Sequence, residues 1–268
     1  LEETQMKNTI IGTATLALAA VLFTVNAQSA SAAAGGSTTT EGTVKIKQYD
    51  KPLTPLNPLD PKKSDPQDPG KGDGSKGVGS EGLYLDYVSN FRFKEVTLDP
   101  EKGNETMAQA DKWTYQAKNK PAVNVPNHLQ ISDKRLAKGT WNIKVSASEM
   151  KSIDPGSKTI LAGAKVTLKN VTVKDLNGRD DAALKTVIGK GGKAAKGGTD
   201  IDISTDGKDT LVLKAADAAD ARGTFIASFN EKDPESGVAL NIPVQKDTIK
   251  NGEQFKTTLK WTLSDTPA

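Results

Sequence analysis

The chain has 268 residues, a formal net charge of +3, no cysteine and one histidine. The missing cysteines exclude disulfides, thiolate nucleophiles and Cys-ligated metals. So small a basic excess, without an RNA-binding or helix-turn-helix signature, does not argue for nucleic acid. The composition is hydrophilic and poor in aromatics, and the length suits one large all-β domain plus extras.

Leu1 to Gln5 read as an overhang before a start at Met6. Lys7 then precedes an apolar run from Ile10 to Val25 and the small-residue triplet Ala30-Ser-Ala32. Charge, apolar stretch and small-x-small site in that order are the pattern of a secretory signal peptide, with cleavage expected after Ala32. The run is short for a membrane span and is interrupted by Gly12, Thr13 and Thr15. No second apolar run follows, so the mature chain is expected to be extracytoplasmic and free of membrane spans. It offers no cysteine for a lipid and no sorting motif, so attachment to a surface is expected to be non-covalent. The expected organisation is a signal peptide over 1–32, a flexible spacer over 33–42 and one domain over 43–268.

Val44 and Ile46 alternate with Lys45 and Lys47, which predicts a short strand. Pro52, Pro55, Pro58 and Pro61 then recur at every third residue, the period of polyproline II. With Pro66 and Pro69 they make a Pro-rich segment over 52–69, read as a stiff spacer in preference to a ligand for a Pro-binding module. Residues 70–82 form a Gly/Lys linker.

From Gly82 onward the period is two. Leu83, Leu85 and Tyr87 alternate with polar residues, and Phe91 and Phe93, then Trp113 and Tyr115, continue the pattern. After a Pro/Asn break come Leu129 to Arg135 and then Thr140 to Ala147. In the latter, Trp141, Ile143, Val145 and Ala147 share a face. Val166 and Leu168 alternate, the phase slips near Asn170, and Val171 and Val173 resume, which predicts a bulge or a tight turn. Asp180 to Ile188 is the one candidate helix, capped by Asp180 and stopped by Gly189. Ile201/Ile203 and Leu211/Leu213 flank Asp206-Gly207, a hairpin signal. Phe225/Ala227/Phe229 and Val238/Leu240/Ile242/Val244 follow. Phe255, Thr257, Leu259, Trp261 and Leu263 share the apolar face of the last strand. The expected fold is all-β: an antiparallel β-sandwich, or a barrel-like one, with long loops and at most one short helix.

Several of these segments, in order, resemble the WxL surface-protein family of Gram-positive bacteria, named for two Trp-x-Leu motifs. The resemblance rests on the Pro52-to-Pro61 segment, Gly82 to Phe93, Ile131 to Arg135 leading to Trp141, Leu161 to Asn170, Leu211 to Ala215 and Leu259 to Pro267. The distal motif is intact as Trp261-Thr-Leu263. The proximal one is Trp141-Asn-Ile143, with Ile where the family usually has Leu. The resemblance implies a secreted protein held non-covalently on the cell wall, in contact with peptidoglycan or wall polymers. It further implies display beside a WxL-interacting surface protein and other WxL proteins, and a role in adhesion that can involve host matrix proteins. Read from their own strands, Trp141, Ile143, Trp261 and Leu263 are core residues of the sandwich.

The chemistry-bearing residues point elsewhere than to catalysis. His128 is alone, and no Gly-x-Ser-x-Gly motif accompanies it. Asp200 to Asp209 has the look of a calcium loop, but Thr205 stands where that loop needs glycine. Gly189 to Gly198 lacks the Gly-Lys-Thr/Ser ending of a P-loop and reads as a mobile surface loop. Its Lys190, Lys193 and Lys196 are candidate contacts to anionic wall-polymer phosphates. No cofactor or metal is expected. The alternative function is a carbohydrate-active enzyme, which needs two facing carboxylates, or a lectin, which needs outward aromatics. The strand aromatics lie on apolar faces, with Tyr49 and Tyr84 as the exceptions.

Overall fold

The computed structural model describes residues 38–62, 74–113, 122–196, 198–217 and 221–266. The expected leader, the start of the spacer, the end of the Pro-rich segment and the start of the Gly/Lys linker lie outside them; the rest of that linker is no linker, since Gly74–Ser80 forms a strand paired with Leu83–Ser89. The chain divides into two units, Leu1–Lys45 and Ile46–Ala268. In the first, the described residues are exposed and outside any helix or strand. The strand expected at Val44 and Ile46 does not form. Both side chains stand in solvent, at 85% and 71% exposure, since two alternating residues without a partner strand cannot offset the entropy of extension.

In chain order the strands are β1 (Gly74–Ser80), β2 (Leu83–Ser89), β3 (Asn104–Met107), β4 (Asp111–Trp113), β5 (Val123–Val125) and β6 (His128–Asp133). Next come β7 (Asn142–Ala147), β8 (Lys151–Ser152), β9 (Lys165–Asp175), the helix α1 (Asp181–Leu184), β10 (Ile188–Lys190), β11 (Lys193–Ala195) and β12 (Gly198–Ser204). The last are β13 (Thr210–Ala215), β14 (Gly223–Ser228), β15 (Val238–Ile242), β16 (Phe255–Lys256) and β17 (Leu259–Ser264). The larger sheet runs β1-β2-β6-β14-β9-β12-β11, with β15 also beside β9 and β3 beside β15. The smaller sheet runs β10-β13-β7-β17. Two short ribbons, β4 with β5 and β8 with β16, complete the pairing, and every ladder is antiparallel. Apolar side chains of both main sheets form one core, in which Trp141, Phe225, Phe229, Leu129, Ile143 and Leu168 are fully buried.

Strand β9 bends the larger sheet. Residues Lys165 to Leu168 pair with β12 on one side and β15 on the other, whereas Thr172 to Asp175 pair with β14. Between the halves Asn170 takes φ +48°, and the ladder to β12 shifts register between Thr199 and Ile201. The phase slip in the sequence is this bulge. It swings the second half of β9 onto a new neighbour while both halves keep their apolar residues inward.

Three local expectations meet a different outcome. Asp206-Gly207 makes a turn, with Gly207 at φ +78°, but not a hairpin: β12 joins the larger sheet and β13 the smaller. The Gly207 amide donates to the Ala147 carbonyl at 2.9 Å, fastening this crossing to the end of β7. An Asp-Gly pair fixes turn geometry and not which strands pair, and here longer partners win on each side. The expected mobile loop at 189–198 instead supplies β10 and β11. A Cβ on Gly191 would lie 1.9 Å from the Leu211 carbonyl oxygen, and one on Gly192 2.1 Å from that of Asp200. These glycines therefore serve close backbone approach. Helix α1 is capped as expected, Asp180 Oδ1 accepting from the Ala183 amide at 3.2 Å. It ends sooner than expected because Ile188 enters β10.

The Pro-rich segment departs furthest from its reading as a spacer. Its described part lies against the outer face of β2 and β6, with Pro58 and Pro61 buried. The Leu53 amide donates to Asp86 Oδ1 at 2.7 Å, and the Leu56 amide donates to Gln130 Oε1 at 2.8 Å. Leu53 and Leu56 each follow a proline. Proline has no N–H, so the next residues supply the donors, and the polar side chains of the sheet face accept them. This strap explains why every residue of β2 and β6 is buried, on both faces.

Candidate functional site

The two Trp-x-aliphatic motifs, 120 positions apart in the chain, meet as neighbouring strands. In the β7–β17 ladder Ile143 stands opposite Leu263, Val145 opposite Trp261 and Ala147 opposite Leu259. Directly opposed residues of an antiparallel pair point to the same face. Trp141-x-Ile143 and Trp261-x-Leu263 therefore line one continuous face toward the core.

The two tryptophans differ in surroundings. Trp141 is 1% exposed. Its Nε1 donates to the Ala221 carbonyl at 3.1 Å, which satisfies the one polar atom the ring carries inside. Its aromatic neighbour is Phe225, with ring centroids 6.2 Å apart, rather than Trp261. Trp261 sits on β17, the edge of the smaller sheet. With Leu259 and Leu263 it packs on the core yet stays partly open to solvent.

The three loop lysines are not one patch. Lys190 Nζ donates to both carboxylate oxygens of Asp181, at 2.8 and 2.7 Å, and to the Val171 carbonyl at 3.0 Å. Its charge is taken up inside the domain. Lys193 and Lys196 are exposed. Of the two outward tyrosines, Tyr84 is buried with its hydroxyl on Asp50 Oδ1 at 2.5 Å, and Tyr49 stays exposed. The aspartates of 200–209 are drawn apart. Asp200 accepts from the Asn170 amide, Asp202 from Lys165 and Thr167, and Asp206 pairs with Lys208. Among the described residues no cluster of three or more His, Asp or Glu could hold a metal.

One constellation escaped sequence reading. Ser89, Asp111 and His128 meet on the outer face of the larger sheet, all buried. Tyr87 donates to Asp111 Oδ2 at 3.1 Å and Asn127 Nδ2 to Asp111 Oδ1 at 3.4 Å. The Ser89 hydroxyl bonds Asp111, and it also accepts from the His128 backbone amide at 2.8 Å. His128 Nδ1 lies 3.0 Å from the Pro126 carbonyl oxygen, and its ring stacks on Tyr87 at 4.8 Å. The serine thus bonds the carboxylate and the histidine backbone, while the ring nitrogen faces a carbonyl. This geometry fastens β2, β4 and β6 together and differs from a nucleophile–base pair. Sequence gave no warning, because polar residues alternating along β2 and β6 look like a wet face.

Burial sets the ionisation of these groups. It pushes Asp86 and Asp111 up to about 6, against hydrogen bonds from Gln130, Leu53 and Ser132 in the first and Ser89, Tyr87 and Asn127 in the second. It pulls His128 down to about 4, against its Pro126 contact. Both raised carboxylates favour the native state at low pH, and that contribution is lost as pH rises through about 6. The depressed histidine acts oppositely, its contribution being lost as pH falls from its ordinary value toward about 4. Glu253, held down to about 2 chiefly by Ser157, acts below this window. Two carboxylates that keep a proton outweigh one histidine that has lost its own, so the native state is the richer by somewhat under one proton and stability should fall as pH rises, by on the order of 1 kcal/mol per pH unit near pH 4.5 and by less toward 6. Melting temperatures across that range check it. In Asp86→Asn/Asp111→Asn the slope should reverse, leaving the histidine alone, and a wild-type melting temperature that climbs over the same range would contradict the assignment.

The family model described as WxL domain surface cell wall-binding matches residues 33–267, nearly the whole chain. No curated protein and no solved structure matches it.

Proposed function

The chain belongs to the family of WxL domain surface cell wall-binding proteins, and from that premise we propose that it is exported, held to peptidoglycan without a covalent bond, and displayed beside partner surface proteins in a Gram-positive wall. It is a surface protein that binds the cell wall. Its family is defined by wall binding and not by catalysis. On this reading the protein is a non-catalytic module with a part in adhesion, docking a WxL-interacting protein or other WxL proteins and, through them or directly, host matrix.

The observation that carries the reading is the extent of the family match together with the pairing of its two signature segments. The match spans 33–267, and β7 and β17 bring both motifs onto one sheet. Export is supported by Lys7, the apolar run to Val25 and Ala30-Ser-Ala32. Among the described residues no helix is long and apolar enough to cross a membrane.

The test is co-sedimentation of the mature protein with purified peptidoglycan, with and without wall polymers, across a salt series. Binding should have a salt-sensitive part, because lysine–phosphate contacts are screened over about 8 Å at physiological salt, and a salt-resistant part on peptidoglycan itself. If purified peptidoglycan captures nothing at any salt, the peptidoglycan reading is wrong and a protein partner becomes the tether. Release of the native protein from cells by strong chaotropes should be complete, and retention would indicate a covalent or membrane anchor.

A further inference from the structure

The outward face of the smaller sheet carries charge of one sign. Register puts Thr262 opposite Lys144, Ser146 opposite Lys260 and Asn142 opposite Lys214, all on the face away from the core. Strands β7, β13 and β17 contain no Asp or Glu at all. The nearest carboxylates along the chain, Asp209 and Asp265, fall beyond the strand ends. Several lysines of the larger and smaller sheets are neutralised by a carboxylate. Lys165 pairs with Asp202, Lys169 with Glu105, Lys174 with Glu231 and Lys190 with Asp181. No described carboxylate pairs with Lys144, Lys214 or Lys260.

Geometry spaces these charges regularly. Lys214, Lys144 and Lys260 lie on three adjacent strands, each diagonal to the next. With strands ~4.8 Å apart and same-face residues ~6.7 Å apart along a strand, successive lysine roots stand about 8 Å apart. Between them Ser146 and Thr262 offer hydroxyl donors. Lys214 lies over Gly189 of β10, where a Cβ would approach its Cγ to 3.1 Å. The result is a row of three cations, Lys260 exposed and Lys144 and Lys214 half-buried, with hydroxyls interleaved and no ion-pair partner among the described residues.

Resting on the wall-binding reading, we infer that this face docks a linear phosphodiester polymer of the wall, its successive phosphates meeting Lys214, Lys144 and Lys260. Charge complementarity carries the assignment. A repeating monoanion fits a row of isolated ammonium groups, and the flat hydroxyl-bearing surface between them suits a flexible polyol backbone. The face works independently of Trp141 and Trp261, which look the other way.

The experiment compares wild type, the triple variant Lys144→Gln/Lys214→Gln/Lys260→Gln and its charge-keeping counterpart Lys144→Arg/Lys214→Arg/Lys260→Arg. Each is titrated with poly(glycerol phosphate), with polyglutamate as a carboxylate control, and co-sedimented with peptidoglycan bearing or stripped of phosphodiester polymer. The Gln triple should lose about tenfold or more in affinity for poly(glycerol phosphate) at low salt. Its log–log salt slope should shrink by about 2, three contacts at roughly 0.7 each. The Arg triple should bind like wild type, and all three should melt alike. Equal binding of poly(glycerol phosphate) by the Gln triple and wild type would overturn the inference while leaving wall binding intact if stripped peptidoglycan is still captured. Equal loss with polyglutamate would overturn the choice of phosphodiester. Failure of wild type on both forms of peptidoglycan would sink the wall-binding reading itself, and the docking face with it.

Discussion

Trp141→Ala is expected to destabilise the domain by roughly 3–5 kcal/mol, the usual range for emptying a buried tryptophan site. A buried Trp keeps on the order of 200 Å² from water, worth about 5 kcal/mol at 25 cal/mol per Å². The substitution also leaves the Ala221 carbonyl, which now accepts from Nε1 at 3.1 Å, without that donor. Against a total stability of about 5–15 kcal/mol such a loss is large. Trp261→Ala should cost less, roughly 1–3 kcal/mol, because the ring is already partly wet at the sheet edge. Denaturant unfolding of the two variants side by side checks the order. Equal losses would mean that the edge strand is more deeply packed than β7–β17 pairing implies.

Asp86→Ala should have the next largest effect and should be felt in the Pro-rich strap. Asp86 accepts from the Leu53 amide at 2.7 Å, Ser132 Oγ at 2.9 Å and Gln130 Nε2 at 3.1 Å. Alanine takes the acceptor from two buried side-chain donors and one part-buried amide, at about 1–3 kcal/mol for each that finds neither water nor another acceptor. Removing a desolvated carboxylate offsets part of this, so roughly 2–4 kcal/mol at neutral pH is expected. Amide exchange at Leu53 and Leu56 should rise well before that of β7, since the strap then keeps only the Gln130 bonds to Leu56 and Thr54 among its side-chain anchors on β2 and β6. A domain that melts lower with strap protection unchanged would show that Asp86 acts within the sheet and not on the strap.

Period-two alternation was enough to locate most strands, the bulge at Asn170 and the inward direction of Trp141, because side-chain alternation is a direct record of which face is buried. It did not reveal partners. Asp206-Gly207 marks a turn equally well between paired strands or between sheets, and only the longer ladders of β12 with β9 and β13 with β7 decide. Alternation also misjudged the polar face of β2 and β6. Asp86, Gln130, Ser132 and His128 are buried because the strap and neighbouring chain cover them, and polar residues under a cover look the same in sequence as polar residues under water. The prolines pointed to a rod but not to its place, since docking depends on acceptors far along the chain. Of the site, Trp141-Asn-Ile143 and Trp261-Thr-Leu263 were legible as motifs. Their adjacency was not, nor was the internal commitment of Lys190, nor the acid-free lysine row, which emerges only when three distant strands are set side by side.

The most direct test of the signature tryptophans as scaffold is peptidoglycan binding by Trp261→Ala and Trp141→Ala, each assayed well below its own melting temperature, with unfolding followed on the same samples. Binding per folded molecule should stay within about twofold of wild type, with losses appearing only as each variant unfolds. Binding that vanishes while the melting temperature is unchanged would make the tryptophans ligand contacts and contradict their role as the packed spine of the smaller sheet.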